Sequence, residues 1–99
     1  YDHNFCLSDG IRPPRPVAWL RGSSGLTMTV TTDAPGLQVY DGRHFNGLAG
    51  LDGRNYAPHA GIAMETQHWP DAPNRPDFPD AILRPGQTYR HHVAYGFAR

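Results

Sequence analysis

The sequence has a single cysteine and no lysine among its 99 residues. Because Cys6 has no partner within the chain, an internal disulfide bond is excluded. A lone cysteine fits a reducing compartment, so we expect a cytoplasmic protein. We also expect Cys6 to be a small buried hydrophobe in a strand rather than a nucleophile, since that is the ordinary environment of a free cysteine.

The sequence also lacks an excess of either charge and any long apolar run. Nine basic residues, all arginine, balance nine acidic ones, giving a formal net charge of zero. No basic run or stripe suggests a nucleic acid partner. No apolar run approaches the roughly 18 residues that are needed to span a bilayer. We therefore expect neither a nucleic acid nor a membrane as a partner.

Amphipathic helical patterns of useful length are missing too, whereas glycine and proline are abundant. The chain has 11 glycines and 10 prolines, and 38% of its residues are hydrophobic. Its length fits one small domain or a piece of a larger one. Ordering a chain of this size costs on the order of 100–200 kcal/mol of conformational entropy. This composition makes a self-sufficient hydrophobic core less assured.

Short alternating segments between glycine- and proline-rich turns make up most of the chain. In Leu26–Thr32, for example, Met28 and Val30 alternate with threonines, which is typical of a half-buried strand. Trp69–Asp80 holds four prolines without periodicity, and a loop this long is more often functional than a simple connector. The pattern predicts an all-β antiparallel sandwich. The predicted strands span residues 1–7, 17–20, 26–32, 36–40, 60–67 and 87–97, with irregular loops over 12–16 and 41–58.

The segment Met64–Asn74 carries the clearest chemical signal. A strand has a period of two, so Glu65 and Gln67 point to one face while Ile62 and Met64 point to the other. A carboxylate beside an amide suits a site that handles sugar hydroxyls, since it combines a base with a hydrogen-bonding partner. Taken alone, however, the pattern is more typical of a surface glutamate on a half-exposed strand.

Three other motifs accompany this segment. The chain opens with Tyr1-Asp2-His3-Asn4-Phe5, continues with Thr31–Tyr40 and later contains Ile82–Tyr89. In this order and at these separations the four motifs resemble the C-terminal part of the aldose 1-epimerase (galactose mutarotase) family, from Tyr1 to about Phe97. Two turns differ from the family's common pattern. Ser23-Ser24-Gly25-Leu26 lacks an arginine, and Asp41-Gly42-Arg43 stands where Thr-Gly-Asn is frequent.

The resemblance implies a large antiparallel β-sandwich of which residues 1–99 form the last section, with an N-terminal part missing. It also implies an isomerase that interconverts the α and β anomers of free hexoses such as glucose or galactose by acid–base ring opening, with no metal or other cofactor. An aldohexose substrate and the rest of the epimerase chain are the partners that it implies. The isolated segment would be inactive, because the family's general-acid histidine lies upstream of the first motif.

The resemblance further assigns roles to individual residues. It makes Glu65 the general base and makes Asp2 and Gln38 hydrogen-bonding partners of the sugar. Asp2 could instead cap a turn, and Gln38 could satisfy a neighbouring strand. Gln67 could orient its neighbours on the same face, and Trp69 could either stack on a sugar or serve packing. A second substrate-contacting histidine and an arginine of the family have no counterpart in the chain.

The six histidines show no recognised metal-ligand spacing. His91 and His92 are adjacent and would point to opposite faces of a strand, so we expect no metal site. His68, close to Glu65, is the only local substitute for the missing acid.

Two other functions fit the same fold. One is a carbohydrate-binding β-sandwich remnant without catalysis, since a fold by itself does not fix a function. The other is a hexose-6-phosphate 1-epimerase, which would require a cluster of arginines around the phosphate. The candidates for such a cluster are scattered along the sequence, at Arg43, Arg54, Arg75 and Arg84.

Overall fold

The computed structural model describes all 99 residues and contains strands but no α-helix. This confirms the predicted all-β class. Two 3₁₀ turns, Leu51–Gly53 and Ala72–Asn74, are the only helical elements. The strands are β1 (Asp2–Cys6), β2 (Arg15–Arg21), β3 (Thr27–Thr32), β4 (Gly36–Tyr40), β5 (Leu48–Ala49), β6 (Asn55–Tyr56), β7 (Ala63–Gln67) and β8 (Val93–Ala98).

The strands form two three-stranded antiparallel sheets and a small hairpin. The first sheet has the order β1-β4-β7 and the second sheet has the order β2-β3-β8. The two sheets form sandwich-like layers, and the chain crosses from the second sheet to the first between β3 and β4. Strands β5 and β6 pair only with each other, inside the segment 41–58 that the sequence predicts to be a loop.

The crossover between β3 and β4 holds the most deeply buried residues. The buried Pro35 carbonyl accepts hydrogen bonds from the backbone N–H groups of Leu7 and Ser8 at 2.8 and 3.2 Å. The hydroxyl of Thr32, also buried, donates to the His92 carbonyl at 2.8 Å and accepts from the Ala34 N–H at 3.1 Å. The polar groups of this corner are therefore satisfied even though water does not reach them.

Several strand boundaries differ from those that the alternation predicts, and three strand starts differ by two residues or more. Strand β7 begins at Ala63 rather than at residue 60. Strand β2 begins at Arg15, because an irregularity between Pro16 and Ala18 lets a proline lie in this edge strand. Strand β8 begins only at Val93, whereas residues 87–92 are not in a strand. The N–H of His92 donates to the Asp33 carboxylate at 3.0 Å, which fixes the point where β8 joins β3.

The inner faces of the two sheets meet through apolar and polar contacts. Val30 and Leu37 are buried between the layers. The Tyr95 hydroxyl donates to the Met64 carbonyl at 2.9 Å, and the Thr66 hydroxyl bonds the His91 ring at 2.8 Å. The first bond joins β7 to β8 of the second sheet, and the second joins β7 to the segment that precedes β8.

Only eight residues are buried, so much apolar surface stays open to solvent. Phe97 is 64% exposed and Trp19 is 65% exposed. The radius of gyration is 16.1 Å, larger than the roughly 13 Å typical of a compact 100-residue domain. Cys6 is exposed as well, so the expectation that it is buried is wrong. It lies at the end of edge strand β1, four of whose five residues are exposed.

No helix in the structure is long and apolar enough to cross a membrane.

We predict that the 99-residue chain, when produced alone, associates or precipitates. Its exposed aromatic side chains and unpaired strand edges offer surfaces for intermolecular contact. Sedimentation velocity over a concentration series would show species larger than 11.0 kDa. A monodisperse monomer with a cooperative thermal transition would contradict this expectation.

Candidate functional site

The residues that the sequence singles out meet on the outer face of the first sheet. Asn4, Gln38 and Glu65 lie directly opposite one another on β1, β4 and β7. Because directly opposed residues of antiparallel strands share a face, their side chains project to the same side. Asp2 and Gln67 join them by the period of two along their own strands. We call these five residues the polar face.

Hydrogen bonds connect the polar face into a network. The Gln38 side-chain Nε2 donates to Asp2 Oδ1 at 2.6 Å. The Gln67 Nε2 donates to Asn4 Oδ1 at 3.1 Å and to Gln38 Oε1 at 3.5 Å. Asn4, Gln38 and Gln67 are half-buried, whereas Asp2 is exposed. The three amides therefore have defined partners, and the Asp2 carboxylate stands at the end of the network.

Glu65 lies beside this network without joining it. It is the only glutamate of the chain, and its side chain is exposed. Its carboxylate has no hydrogen-bonding or ion-pairing partner among the 99 residues, although Gln38 faces it across the strand pair. A carboxylate placed in this way keeps its oxygens free to accept a proton from a ligand that is held by the neighbouring amides.

Trp69 follows β7 and closes the corner beneath the polar face. Its indole Nε1 donates to the Pro35 carbonyl at 2.8 Å, and its ring meets Phe78 edge-on with centroids 5.1 Å apart. The ring is half-buried. Within the 99 residues Trp69 therefore serves packing, and its stacking on a sugar stays a prediction.

The sequence reasoning overlooked Asn4 and the glycine that makes room for it. Asn4 has the same strand parity as Asp2, so the period of two could have placed it on the polar face. A Cβ atom on Gly36 would stand 2.7 Å from Asn4 Oδ1, 3.1 Å from the Gln67 carbonyl oxygen and 3.1 Å from Trp69 Cδ1. Gly36 is thus required for the close approach of three neighbouring strands and turns.

His68 lies in a different place from the polar face. Together with Asp80 and Tyr89 it lines a cavity of about 410 Å³ whose lining includes none of the polar-face residues. No hydrogen bond or ion pair joins the His68 ring to Glu65. No group of three or more His, Cys, Asp or Glu side chains in residues 1–99 could hold a metal ion.

Two carboxylates with altered titration lie in the loop after Trp69. The Arg84 guanidinium, which donates to Asp80 at 2.7 Å, and the Ile82 N–H lower the pKa of Asp80 below the usual aspartate range. In the same way Arg75 lowers the pKa of Asp77 by hydrogen bonding. These are exposed ion pairs that organise the loop, and both lie outside the polar face.

We predict that Gly36→Ala destabilises the folded protein by about 1–3 kcal/mol, the usual cost of overpacking. The added methyl group would displace the Asn4 amide and crowd the Gln67 carbonyl and the Trp69 ring. Urea unfolding of the natural polypeptide that carries these residues would measure the loss. Gly96→Ala is the matched control, because Gly96 also lies in a strand but has no neighbour within 4 Å of the new Cβ. Equal effects of the two changes would contradict the expected crowding.

We also predict that Arg84→Gln raises the pKa of Asp80 toward the ordinary value. The folded-state pKa is lowered, so the ion pair stabilises the folded loop above the unfolded-state pKa. That contribution falls as the pH drops through the folded-state pKa. A carboxyl ¹³C NMR titration of Asp80 would measure the shift, with Arg43→Gln as the control. An unchanged Asp80 titration in Arg84→Gln would show that Arg84 is not the cause.

Comparison with known proteins identifies the family to which this fold and this face belong. The model of the family described as aldose 1-epimerase matches residues 1–96. The chain is 40% identical over 99 residues to the galactose mutarotase of Mus musculus, and the match covers 99% of this chain and 29% of the relative. The galactose mutarotase of Homo sapiens gives the same identity and coverage. The aldose 1-epimerase of Escherichia coli strain K12 is 37% identical over 102 residues, with 98% of this chain and 29% of the relative covered.

The chain thus spans 29% of the length of these curated relatives. The family model nevertheless matches nearly the whole chain, including all four motifs and every residue of the polar face. The chain belongs to the aldose 1-epimerase family.

Proposed function

We propose that the polypeptide carrying this chain interconverts the α and β anomers of a free aldohexose, with Glu65 as the general base. The observation that carries the proposal is the meeting of Glu65, Asp2 and Gln38 on one outer sheet face, within a chain of the aldose 1-epimerase family. Similarity to galactose mutarotases supports a hexose such as galactose or glucose as the substrate.

The proposed chemistry requires only proton transfers. Glu65 takes the proton from the anomeric hydroxyl while an acid on the opposite side of the sugar protonates the ring oxygen, so the ring opens. The freed aldehyde rotates about its bond to the next carbon, and the ring closes from the other side with the protons returned. The reaction is redox-neutral and, in our proposal, proceeds without a metal or other cofactor.

Asp2 and Gln38 have the proposed role of holding the sugar while it opens. A carboxylate only accepts hydrogen bonds, whereas an amide both donates and accepts, so the pair can bind hydroxyls of either orientation. Fixing the sugar in this way sets its anomeric hydroxyl near the base, and such positioning contributes a large part of the rate in acid–base enzymes.

The acid of the proposed mechanism lies outside these 99 residues. The strand positions that face outward with Glu65 include no histidine, and His68 lines the separate cavity. Because the relatives are more than three times as long as the matched segment, we assign the acid to a part of the fold that the chain does not contain.

The same observation supports a second candidate, a carbohydrate-binding protein without catalysis. A face that holds the base and the sugar-binding amides but no acid can bind a sugar without opening it. A hexose-6-phosphate epimerase has less support. Two of its candidate arginines, Arg75 and Arg84, are paired with Asp77 and Asp80, and none of the four lies on the polar face.

We predict that Glu65→Gln lowers the anomerisation rate at least about a hundredfold, the usual scale for a lost acid–base group. Polarimetry of freshly dissolved α-D-galactose and α-D-glucose with the natural polypeptide would measure it. Gln is isosteric with Glu but cannot take up the proton, so sugar binding should be largely retained.

Asp52→Asn is the control, since Asp52 is an exposed carboxylate in the 3₁₀ turn next to β5. A Glu65→Gln turnover number near that of the unaltered protein would remove Glu65 from the role of base. An unaltered protein that binds hexose but does not accelerate anomerisation would favour the carbohydrate-binding candidate.

A further inference from the structure

The direction of the amides on the polar face follows from the Asp2 carboxylate. A carboxylate accepts hydrogen bonds and cannot donate, so Gln38 must turn its Nε2 toward Asp2, as it does at 2.6 Å. The Gln38 Oε1 then faces Gln67, which must donate from its own Nε2, and these two atoms are 3.5 Å apart. Each amide in the series therefore has only one orientation in which donors meet acceptors.

Asn4 completes the series at its other end. The Gln67 NH₂ group has two N–H donors, of which one reaches Gln38 Oε1 and the other reaches Asn4 Oδ1 at 3.1 Å. Without Asn4, one of these donors on a half-buried side chain would have no partner, and Gln67 would be held only by its long bond to Gln38. The Asn4 side chain lies over Gly36, whose missing Cβ leaves the necessary space.

The oriented network leaves a specific pair of groups for a ligand. Gln38 keeps one unused N–H next to Asp2, and Asp2 keeps its second carboxylate oxygen, to which no group of the chain donates a hydrogen bond. A sugar hydroxyl can donate to the carboxylate and accept from the amide at the same time. If the Gln38 amide turned over, its oxygen would face the carboxylate and the donor would be lost.

We propose that Asn4 and Gln67 are positioning residues that act through Gln38, holding its amide so that the Asp2–Gln38 pair binds one sugar hydroxyl as both donor and acceptor. This inference rests on the proposed function for the identity of the ligand. It extends that function to Asn4, whose Oδ1 accepts from Gln67 and whose proposed role is to orient its neighbours.

The first test compares Asn4→Ala with Asn4→Asp in the natural polypeptide. Asn4→Ala removes the acceptor for Gln67 and should raise the KM for the aldohexose about five- to tenfold, the scale of one net hydrogen bond, with kcat changed less than about twofold. Asn4→Asp keeps an acceptor oxygen and should restore most of the affinity. Asn55→Ala makes the same chemical change in β6, which belongs to the separate β5–β6 hairpin, and should leave KM unaltered.

A double-mutant cycle separates positioning from a general structural role. If Asn4 acts through Gln38, then Asn4→Ala should have little further effect on KM in a Gln38→Ala background. Fully additive effects would overturn the proposal, as would a KM of Asn4→Ala equal to that of the unaltered protein. Thermal melts of all variants would show whether a loss of affinity merely follows unfolding.

A second measurement does not depend on activity. In NMR spectra the side-chain ¹⁵N–¹H₂ signals of both Gln38 and Gln67 should shift in Asn4→Ala. Neither signal should shift in Asn55→Ala. Unchanged Gln38 signals would overturn the proposal even in an active enzyme. If the unaltered protein does not anomerise sugars, the proposed function fails. The role of Asn4 can then still be tested by following the same amide signals during a galactose titration and comparing the Kd of Asn4→Ala with that of the unaltered protein.

Discussion

The buried carbonyl of Pro35 is the point on which the rest of the structure depends. It accepts hydrogen bonds from Leu7, Ser8 and the Trp69 indole, and thereby ties the ends of β1 and β7 to the crossover between the sheets. A buried carbonyl without partners would cost about 1–3 kcal/mol. Since β4 starts at the next residue, this corner fixes the register of the first sheet. The register in turn decides which side chains meet on its outer face.

The polar face shows how backbone alignment alone can bring polar side chains together. Three strands place Asn4, Gln38 and Glu65 in one row, and the neighbouring Asp2 gives the amides a single direction. All five residues lie on regular strands without unusual backbone conformation, and a sheet holds opposed side chains about 5 Å apart. The face brings together Asp2, Gln38 and Glu65, to which our proposal gives the sugar-binding and base roles, and it contains no histidine.

Particular residues show how far the sequence could lead. The alternation in 26–32 and 36–40 gave β3 and β4 nearly to the residue, since both strands have one covered face. The alternation in 87–97 predicted a start of β8 at residue 87, six residues too early, because periodicity does not reveal whether a neighbouring strand is present. The burial of Cys6 was mispredicted for a related reason, since β1 is an edge strand with an uncovered face. The hairpin of β5 and β6 was missed because its strands have two residues each.

The sequence by itself determined the all-β class, the family and the polar-face candidates Asp2, Gln38, Glu65 and Gln67, because these depend on local alternation and on short motifs. Only the tertiary structure decided that these residues share one face, that Asn4 belongs with them and that His68 does not. Strand order and register depend on contacts between residues far apart in the chain, and a slip of one residue would turn every side chain to the opposite face. Local sequence does not specify such long-range pairing. The hydrogen bonds from Leu7, Ser8 and Trp69 to the Pro35 carbonyl join segments far apart in the chain and so help to set it.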